Sequence, residues 1–357
     1  MRILHVTRDY PTRSTGGLST AVGGLVKACV KAGLGKKVIS FDGWRPKSNT
    51  KTLSISFQED QFRVTAKDQL EQANRFASDY SPHIIHVHSS MLWPFAHALA
   101  QEVGSKTVFH IHVDQYDQNR IRGVKNTQSS TAQERAFGEA DLVMAPSQAA
   151  LAAVGDANSK AVVVPFGITS CCDVTSSFSD KPSALYAARF SDMRGTDRLI
   201  KLAEFLPTFE IRVAGGIPEN HRNDEKWRKR LREKDNITLL GWRTRTELCK
   251  EMTSASLFLA PCRAETFGFS VAEALFHGLP VLGFSVGALP ERLASGGGVL
   301  VPDGDLGAFA ASANELLSDK QELKRLQKRA LLTRNGLSWN ERIPSFLDAY
   351  KKLLATH

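Results

Sequence analysis

The alternation of short apolar runs with helix-compatible stretches is the feature that most constrains the fold. The first series comprises MRILHV at the start, VISF near residue 40, HIIHVHSS at 83–90, TVFHIHVD at 107–114, LVMAPS at 142–147 and AVVVPFG at 161–167. A second series comprises ALYAARF, FEIRVAGG, ITLLGW, LFLAPC, PVLGFS and GGVLVP. Strands that alternate with helices predict two consecutive α/β domains, each built on a doubly wound parallel sheet.

The length of the chain and one polar segment set the predicted domain boundaries. At 357 residues the chain exceeds the size at which a single core usually stops growing. The segment ITSCCDVTSSFSDKPS predicts a linker at 169–182, between an amino-terminal domain at 1–168 and a carboxyl-terminal domain at 183–338. The tail at 339–357 has helical spacing and is a candidate to pack back on the amino-terminal domain. The ligand is expected in the cleft at the carboxyl ends of the strands.

Composition and charge restrict the location and the partners of the chain. A hydrophobic content of 42% is typical of a soluble globular protein, and neither a signal-peptide core nor an apolar run of about 18 residues is found. The net charge of +9 favours anionic partners such as phosphates, or is simply a solvated basic surface. The densest basic cluster, at 226–234, is interleaved with acids, and no nucleic-acid signature accompanies it, so nucleic acid is not expected to bind.

The cysteines and acidic residues give no metal-binding spacing. The five cysteines are Cys29, Cys171, Cys172, Cys249 and Cys262. An odd number with one adjacent pair favours reduced thiols and hence a cytoplasmic protein. The sequence contains no HExxH or paired CxxC, and Asp303-Gly304-Asp305 follows VLVP as a predicted turn.

Two pairs of residues stand where parallel sheets commonly bind anions. Gly16 and Gly17 follow the first strand and precede a helix, where they allow a phosphate to approach the helix N-terminus or simply form a tight turn. Arg189 and Arg194 flank a short loop after ALYAA, and each guanidinium can donate two hydrogen bonds to a diphosphate, or be solvated. The GxGxxG fingerprint is not matched, which disfavours a nicotinamide or flavin cofactor.

Histidines recur in HIIHVHSS and in HIHVD. Alternation along the second of these strands places His110 and His112 on one face, with His112 nearer the carboxyl end and the expected cleft. At such an edge a histidine is either a ligand contact or a hydrogen-bonded structural residue. His86 and His88 are interpreted as structural.

The stretch AETFGFSVAEALFHGLPVL at 264–282 places two carboxylates around a Thr-Phe-Gly turn. The strand LFLAPC leads into a loop with Glu265, and a helix is predicted to begin near Ser270, which puts Glu273 in its first turn. Both carboxylates can then accept from the hydroxyls of one ligand, while backbone N–H groups of 267–269 face anionic oxygens.

These residues resemble a known family. Glu265-x7-Glu273, followed by Gly287 and Pro290-Glu291, is similar to the donor-site signature of the retaining GT-B glycosyltransferases of family 4. The resemblance covers nearly the whole chain, because HIIHVH, HIHVD, VVVPFGI, ARFSDMRG, ITLLGW and the final SW occur in the family's order. It implies a GT-B fold, in which two Rossmann-like domains face a cleft and bind the acceptor and the nucleotide sugar respectively.

Position by position, the resemblance implies roles for individual side chains. Glu273 would hold the nucleotide ribose, and Glu265 would bind hydroxyls of the transferred sugar. Arg189 would neutralise the diphosphate together with Arg194, which stands where the family usually has Lys. His112 matches a sugar-contacting histidine. The remaining implied donor-binding residues are Gly17, Gly241, Trp242, Arg243, Thr266, Phe267, Gly268 and Phe269.

The implied reaction moves a hexose-type sugar from a nucleotide-diphosphate sugar to a hydroxyl acceptor and keeps the anomeric configuration. UDP is favoured over GDP and ADP, and the acceptor is a small molecule or natural product, a glycan or a lipid. No cofactor and no metal are required, because arginines and helix N-termini stabilise the departing diphosphate. Residues 43–66 and 114–130 are interpreted as variable acceptor loops, and the positive charge is compatible with a peripheral position at the inner membrane face.

Three alternatives remain open at this point. A nucleotide-sugar epimerase of the same architecture would isomerise the donor without an acceptor. A binding subunit that lacks turnover would bind nucleotide and release none. A dinucleotide oxidoreductase is disfavoured by the missing fingerprint and would require cofactor binding. The oligomeric state is not indicated by the sequence.

Overall fold

The computed structural model describes residues 1–11, 16–41, 61–63, 69–169, 175–178, 181–216 and 221–356. It contains two compact units. Unit 1 comprises Met1–Gly167 together with Trp339–His357, and unit 2 comprises Ile168–Ser338. Among the described helices, none is both long and apolar enough to cross a lipid bilayer.

Unit 1 is built on a seven-stranded parallel sheet. Its strands are β1 (Arg2–Thr7), β2 (Gly35–Ser40), β3 (Gln61–Arg63), β4 (Ile84–Val87), β5 (Lys106–His110), β6 (Leu142–Ala145) and β7 (Val162–Val163). Its helices before the second unit are α1 (Gly17–Lys31), α2 (Leu70–Tyr80), α3 (Trp93–Val103), α4 (Gln115–Arg122), α5 (Gln128–Glu139) and α6 (Gln148–Ala152). The strand order is β3-β2-β1-β4-β5-β6-β7. The central strands β4 and β6 are buried along their full length, as expected for a parallel sheet that has both faces covered.

Unit 2 is built on a six-stranded parallel sheet. Its strands are β8 (Ser183–Ala188), β9 (Glu210–Gly215), β10 (Ile237–Gly241), β11 (Leu257–Ala260), β12 (Val281–Phe284) and β13 (Gly298–Val301). Its helices are α7 (Thr196–Phe205), α8 (His221–Arg232), α9 (Arg245–Ser254), α10 (Phe269–Phe276), α11 (Leu289–Leu293), α12 (Leu306–Ser318) and α13 (Lys320–Leu332). The strand order is β10-β9-β8-β11-β12-β13. Both sheets confirm the predicted doubly wound α/β fold.

The carboxyl-terminal helix belongs to unit 1. This helix, α14 (Trp339–Ala355), packs against α1, as predicted for a tail that returns to the amino-terminal domain. Phe346 and Tyr350 are fully buried, and the Tyr350 hydroxyl forms a hydrogen bond of 2.7 Å with Nδ1 of His86 on β4. The helix therefore completes the core of unit 1.

Two segments differ from the sequence-based predictions. The short edge strand β3 lies within the predicted loop at 43–66, of which only Gln61–Arg63 is among the described residues. The second predicted loop, at 114–130, contains helix α4 and the start of α5. The stretch is mostly polar, and Asp114 and Thr127 cap these two helices with side-chain oxygens.

Candidate functional site

The topological switch point of unit 2 lies between β8 and β11. The two strands are neighbours, and the chain continues from them toward opposite edges of the sheet, which opens a crevice at their carboxyl ends. Arg189 directly follows β8 and is exposed, and Arg194 precedes the capping residue of α7. Glu265 follows β11 by five residues. The predicted arginines and the first predicted glutamate therefore lie on the two loops that border this crevice.

Glycines of two neighbouring loops enclose the backbone around Glu265. Gly195 has a φ of +71°, and a Cβ there would lie 2.0 Å from the carbonyl oxygen of Pro261. Gly287 has a φ of +49°, and a Cβ there would lie 2.1 Å from the carbonyl oxygen of Glu265. The N–H of Ala288 donates to that same carbonyl at 2.8 Å. Because only glycine permits both the backbone conformation and the close approach, these positions fix the Glu265 loop.

Replacing Gly195 by Ala is expected to destabilise unit 2 more than replacing Gly241 by Ala. Both glycines have φ above +70°, but no atom lies within 4 Å of a Cβ at Gly241. The backbone penalty of roughly 1–2 kcal/mol is shared, and the clash at Gly195 adds about 1–3 kcal/mol. Urea unfolding of the two variants measures this difference, and equal losses would show that the contact with Pro261 does not anchor the loop.

Glu265 forms an ion pair with Arg194. The contact joins Arg194 Nη1 and Glu265 Oε2, with side-chain exposures of 25% and 13%. The negative charge of Glu265 raises the pKa of Arg194, which keeps the guanidinium protonated. A second ion pair joins the loop of Glu265 to the first turn of α7, because Arg263 donates to both carboxylate oxygens of Asp197 at 2.6 Å. Two ion pairs therefore hold the loop that carries the predicted sugar-binding carboxylate.

Glu273 lies on α10 and also has an arginine partner. The helix begins at Phe269, so Glu273 is its fifth residue and lies in the second turn rather than in the predicted first turn. Arg245, the first residue of α9, donates from Nη2 to Glu273 Oε1 at 2.9 Å. A small pocket beside this pair is lined by Ile168, Thr169, Arg245, Leu248, Cys249, Met252, Glu273 and His277.

The other predicted donor-binding residues lie on two segments of unit 2. Thr266, Phe267, Gly268 and Phe269 form the turn that leads into α10, whose first backbone N–H groups have no partner within the helix. Gly241 ends β10 and is followed by Trp242, which is 41% exposed, and by Arg243. Arg243 Nε lies 3.6 Å from Oε1 of Glu251 on α9.

The predicted residues of unit 1 lie at the carboxyl edge of its own sheet. Gly17 is the first residue of α1 and is exposed. His112 lies two residues beyond the end of β5, and not on the strand as the alternation predicts. Its Nε2 is 3.0 Å from Nδ1 of His88, and its ring lies 5.3 Å from that of His110 between centroids. His112 therefore belongs to a cluster of histidine rings.

Reduced thiols were predicted throughout, and this is wrong for Cys249. Cys249 is disulfide-bonded. Spacing along the sequence does not report which sulfur atoms approach in space, so no local signal indicated this bond. Cys29 and Cys262 are free and buried, and burial raises the pKa of each thiol to about 12.

The predicted turn at Asp303–Asp305 is confirmed. Asp303 accepts from Arg198 at 2.8 Å, and the side chain of Asp305 caps α12 through the N–H of Ala308. Both carboxylates are therefore occupied by structural hydrogen bonds. Within the described residues, the group whose atoms lie close enough to hold a metal ion is His5, His86 and His88.

Three residues that contact the predicted site residues or their loops were not predicted from the sequence. Arg245 lies 28 positions before Glu273 and carries no local signal of their pairing. Asp197 is likewise 66 positions from Arg263. His5 had a signal, because it stands in the first of three neighbouring parallel strands that each contain histidine, and it is in register with His86.

Two family profiles match the chain. The profile described as glycosyl transferases group 1 matches residues 173–332, and that described as glycosyl transferase 4-like domain matches residues 16–167. A D-inositol 3-phosphate glycosyltransferase of Mycolicibacterium smegmatis is 26% identical over 184 residues, which cover 50% of this chain and 42% of that protein. A D-inositol 3-phosphate glycosyltransferase of Xylanimonas cellulosilytica is 30% identical over 177 residues, which cover 48% of this chain and 42% of that protein. The matches thus span less than half the length of these relatives.

Solved structures show the same fold. A sucrose-phosphate synthase from Thermosynechococcus elongatus matches with a TM-score of 0.84 and 18% identity over 100% of both chains. HepE of Anabaena in complex with UDP-glucose matches with a TM-score of 0.75 and 16% identity, over 99% of this chain and 100% of that one. At this level of identity the similarity establishes the architecture of the chain.

Proposed function

Because the chain belongs to the group 1 glycosyltransferases, family 4, with the GT-B fold, we propose that it transfers a hexose-type sugar from a nucleotide-diphosphate sugar to a hydroxyl acceptor. The proposed donor is a UDP-sugar, and the proposed outcome is retention of the anomeric configuration. The observation that carries the proposal is the placement of Arg189, Arg194 and Glu265 on the two loops at the switch point of unit 2.

The proposed mechanism assigns the donor to the crevice of unit 2. Arg189 and Arg194 neutralise the diphosphate, and the N–H groups at the start of α10 add the positive end of its dipole. The ribose hydroxyls donate to Glu273 and the sugar hydroxyls to Glu265. The leaving phosphate oxygen accepts the proton of the acceptor hydroxyl, and His112 contacts the transferred sugar. These groups stabilise the departing charge without a metal ion.

Both glutamates that are proposed to bind the donor form ion pairs with arginines, and donor binding must accommodate these pairs. A guanidinium has five N–H donors, so Arg194 can hold Glu265 and a phosphate oxygen at the same time. Arg245 is 39% exposed, and ribose hydroxyls that occupy Glu273 would compete with it for the carboxylate. An exposed ion pair contributes about 0–1 kcal/mol, and in this pair Arg245 is exposed whereas Glu273 is 17% exposed. Ligand hydrogen bonds to Glu273 would offset the loss of the pair.

Transfer is tested by incubating the chain with UDP-, GDP- and ADP-sugars and a panel of acceptors. Because the two relatives carry the name D-inositol 3-phosphate glycosyltransferase, the panel includes inositol phosphates beside sugars, glycans and lipids. We expect UDP release that depends on the acceptor and persists in EDTA, and a product whose anomeric proton coupling in NMR matches that of the donor. Isomerised donor without acceptor would identify an epimerase, and nucleotide binding without release would identify a silent binding subunit.

A further inference from the structure

Five histidine rings form a cluster inside unit 1, at the carboxyl ends of β1, β4 and β5. The four rings of His5, His86, His88 and His110 are buried, and His112 is partly buried. Ring pairs of the cluster lie 4.1 to 6.2 Å apart between centroids, from His86 and His88 at 4.1 Å to His88 and His110 at 6.2 Å. Rings of the cluster also contact the side chains of Tyr350, Phe166 and Phe346.

Two contacts connect three of these rings in series. Nδ1 of His5 lies 3.0 Å from Nε2 of His88, and Nδ1 of His88 lies 3.0 Å from Nε2 of His112. Both ring nitrogens of His88 are therefore engaged, and each contact needs one proton between its two nitrogens. His86 is outside this series, because its Nδ1 pairs with the Tyr350 hydroxyl.

A proton explains these contacts better than a metal ion does. Ligand atoms of His5, His86 and His88 lie within 4.8 Å of one another, so a divalent cation is the alternative occupant. All three ligands would be neutral imidazoles, since burial lowers the pKa of each. A metal ion bound to His88 would have to break its 3.0 Å contact with His5 or with His112, whereas hydrogen bonds between neutral rings keep both contacts.

Such a chain has two possible polarities. In the first, His5 Nδ1–H donates to His88, and His88 Nδ1–H donates to His112, which leaves the His112 proton on Nδ1. In the second, His112 Nε2–H donates to His88, His88 Nε2–H donates to His5, and the His5 proton moves to Nε2. The polarity of the whole series thus fixes the tautomer of His112.

The surroundings of His5 favour the first polarity. Nε2 of His5 is buried and has no hydrogen-bond partner among the described residues. The second polarity would bury an unpaired N–H at this atom. Among backbone groups, buried N–H groups without a partner are rarer than buried acceptors without one, and we apply the same preference to the ring. In the first polarity Nε2 of His5 carries no proton and is an acceptor without a described partner.

We propose that His5 and His88 are positioning residues that hold His112 as the Nδ1–H tautomer, so that His112 presents a hydrogen-bond donor. This inference rests on the proposed function, in which His112 contacts the transferred sugar. A sugar hydroxyl that contacts the fixed N–H accepts its proton, which restricts the hydroxyl's orientation. The hydrogen bonds of His88 and His5 thereby connect the sugar-contacting ring to strand β1.

Imidazole ¹⁵N NMR of the full chain, labelled at histidine, reads the tautomers directly. We expect His5, His88 and His112 to be neutral and protonated at Nδ1. The variants His5→Asn and His5→Leu are similar in size, but only Asn keeps an N–H near the position of Nδ1. We expect His112 to remain Nδ1–H in His5→Asn and to become a mixture of tautomers in His5→Leu, with kcat about 3- to 10-fold lower in the Leu variant alone.

Several outcomes would overturn the proposal. These are a wild-type His112 protonated at Nε2, identical tautomers in the two variants, or stoichiometric metal in elemental analysis of the purified chain. If neither variant folds, the wild-type spectrum alone decides. A chain that transfers no sugar but shows the expected tautomers would refute the proposed function while leaving the series of hydrogen bonds intact.

Discussion

Replacing Arg194 by Met is expected to lower kcat about 10²–10³-fold, because one preorganised donor to the departing charge is lost. The same change leaves Glu265, which is 13% exposed, without its cationic partner. An unpaired carboxylate in this crevice would also repel the diphosphate, so donor affinity should fall as well. Steady-state kinetics with saturating acceptor measures both effects.

Arg194→Lys is the matched control for this prediction. It keeps the positive charge and matches the residue that the family usually has at this position, although Lys donates as a point charge and not as a fork. We expect this variant to retain most of the wild-type kcat. If the Met variant were as active as the Lys variant, the positive charge at position 194 would not act on the diphosphate.

Acidification is expected to destabilise unit 1 by several kcal/mol between about pH 7 and pH 5, as the histidine cluster resists protonation. Burial lowers the pKa of His5 and His112 from 6.5 to about 3 and lowers those of His86, His88 and His110 in the same direction. Below pH 6.5 the unfolded chain therefore binds more protons than the folded chain. Each neutral histidine then costs about 1.4 kcal/mol of unfolding free energy per pH unit.

The sign and the source of this pH dependence can be tested together. Stability should be full above pH 6.5 and fall as the pH drops, which chemical unfolding at a series of pH values measures. His110→Phe removes one ring whose two nitrogens have no described partner, and Phe suits the aromatic neighbours Phe166 and Phe346. The variant should lose about 1.4 kcal/mol less per pH unit. A stability that is flat down to pH 5 would show that these rings are protonated in the folded state.

The fold could be predicted because its determinants are local. Buried parallel strands are short apolar runs such as LVMAPS and LFLAPC. Each run can be recognised in the sequence without knowledge of which strands lie beside it. The edge strand β3 has three residues, of which Gln61 and Arg63 are polar, so it gave no such signal. The polar helix α4 was missed for the same reason, because its apolar face is too small to show a helical period.

The site could be predicted only in part, because its pairings are not local. The switch-point rule places residues that follow β8 and β11 side by side, and this placed the loops of Arg194 and Glu265 correctly. The rule does not report that these two side chains pair, nor that Arg245 holds Glu273. The series from His5 to His112 also joins distant parts of the sequence.

Thermal stabilisation by UDP, measured in Mg²⁺ and in EDTA, tests the proposed donor site most directly. We expect UDP at 100 times its Kd to stabilise the wild type by about 2.7 kcal/mol in both conditions. Glu273→Ala should lose most of this effect, whereas Glu315→Ala, at an exposed position of α12, should keep it. Stabilisation that requires Mg²⁺ or that persists in Glu273→Ala would contradict a metal-independent nucleotide site at Glu273, and so would the absence of stabilisation by any nucleoside diphosphate.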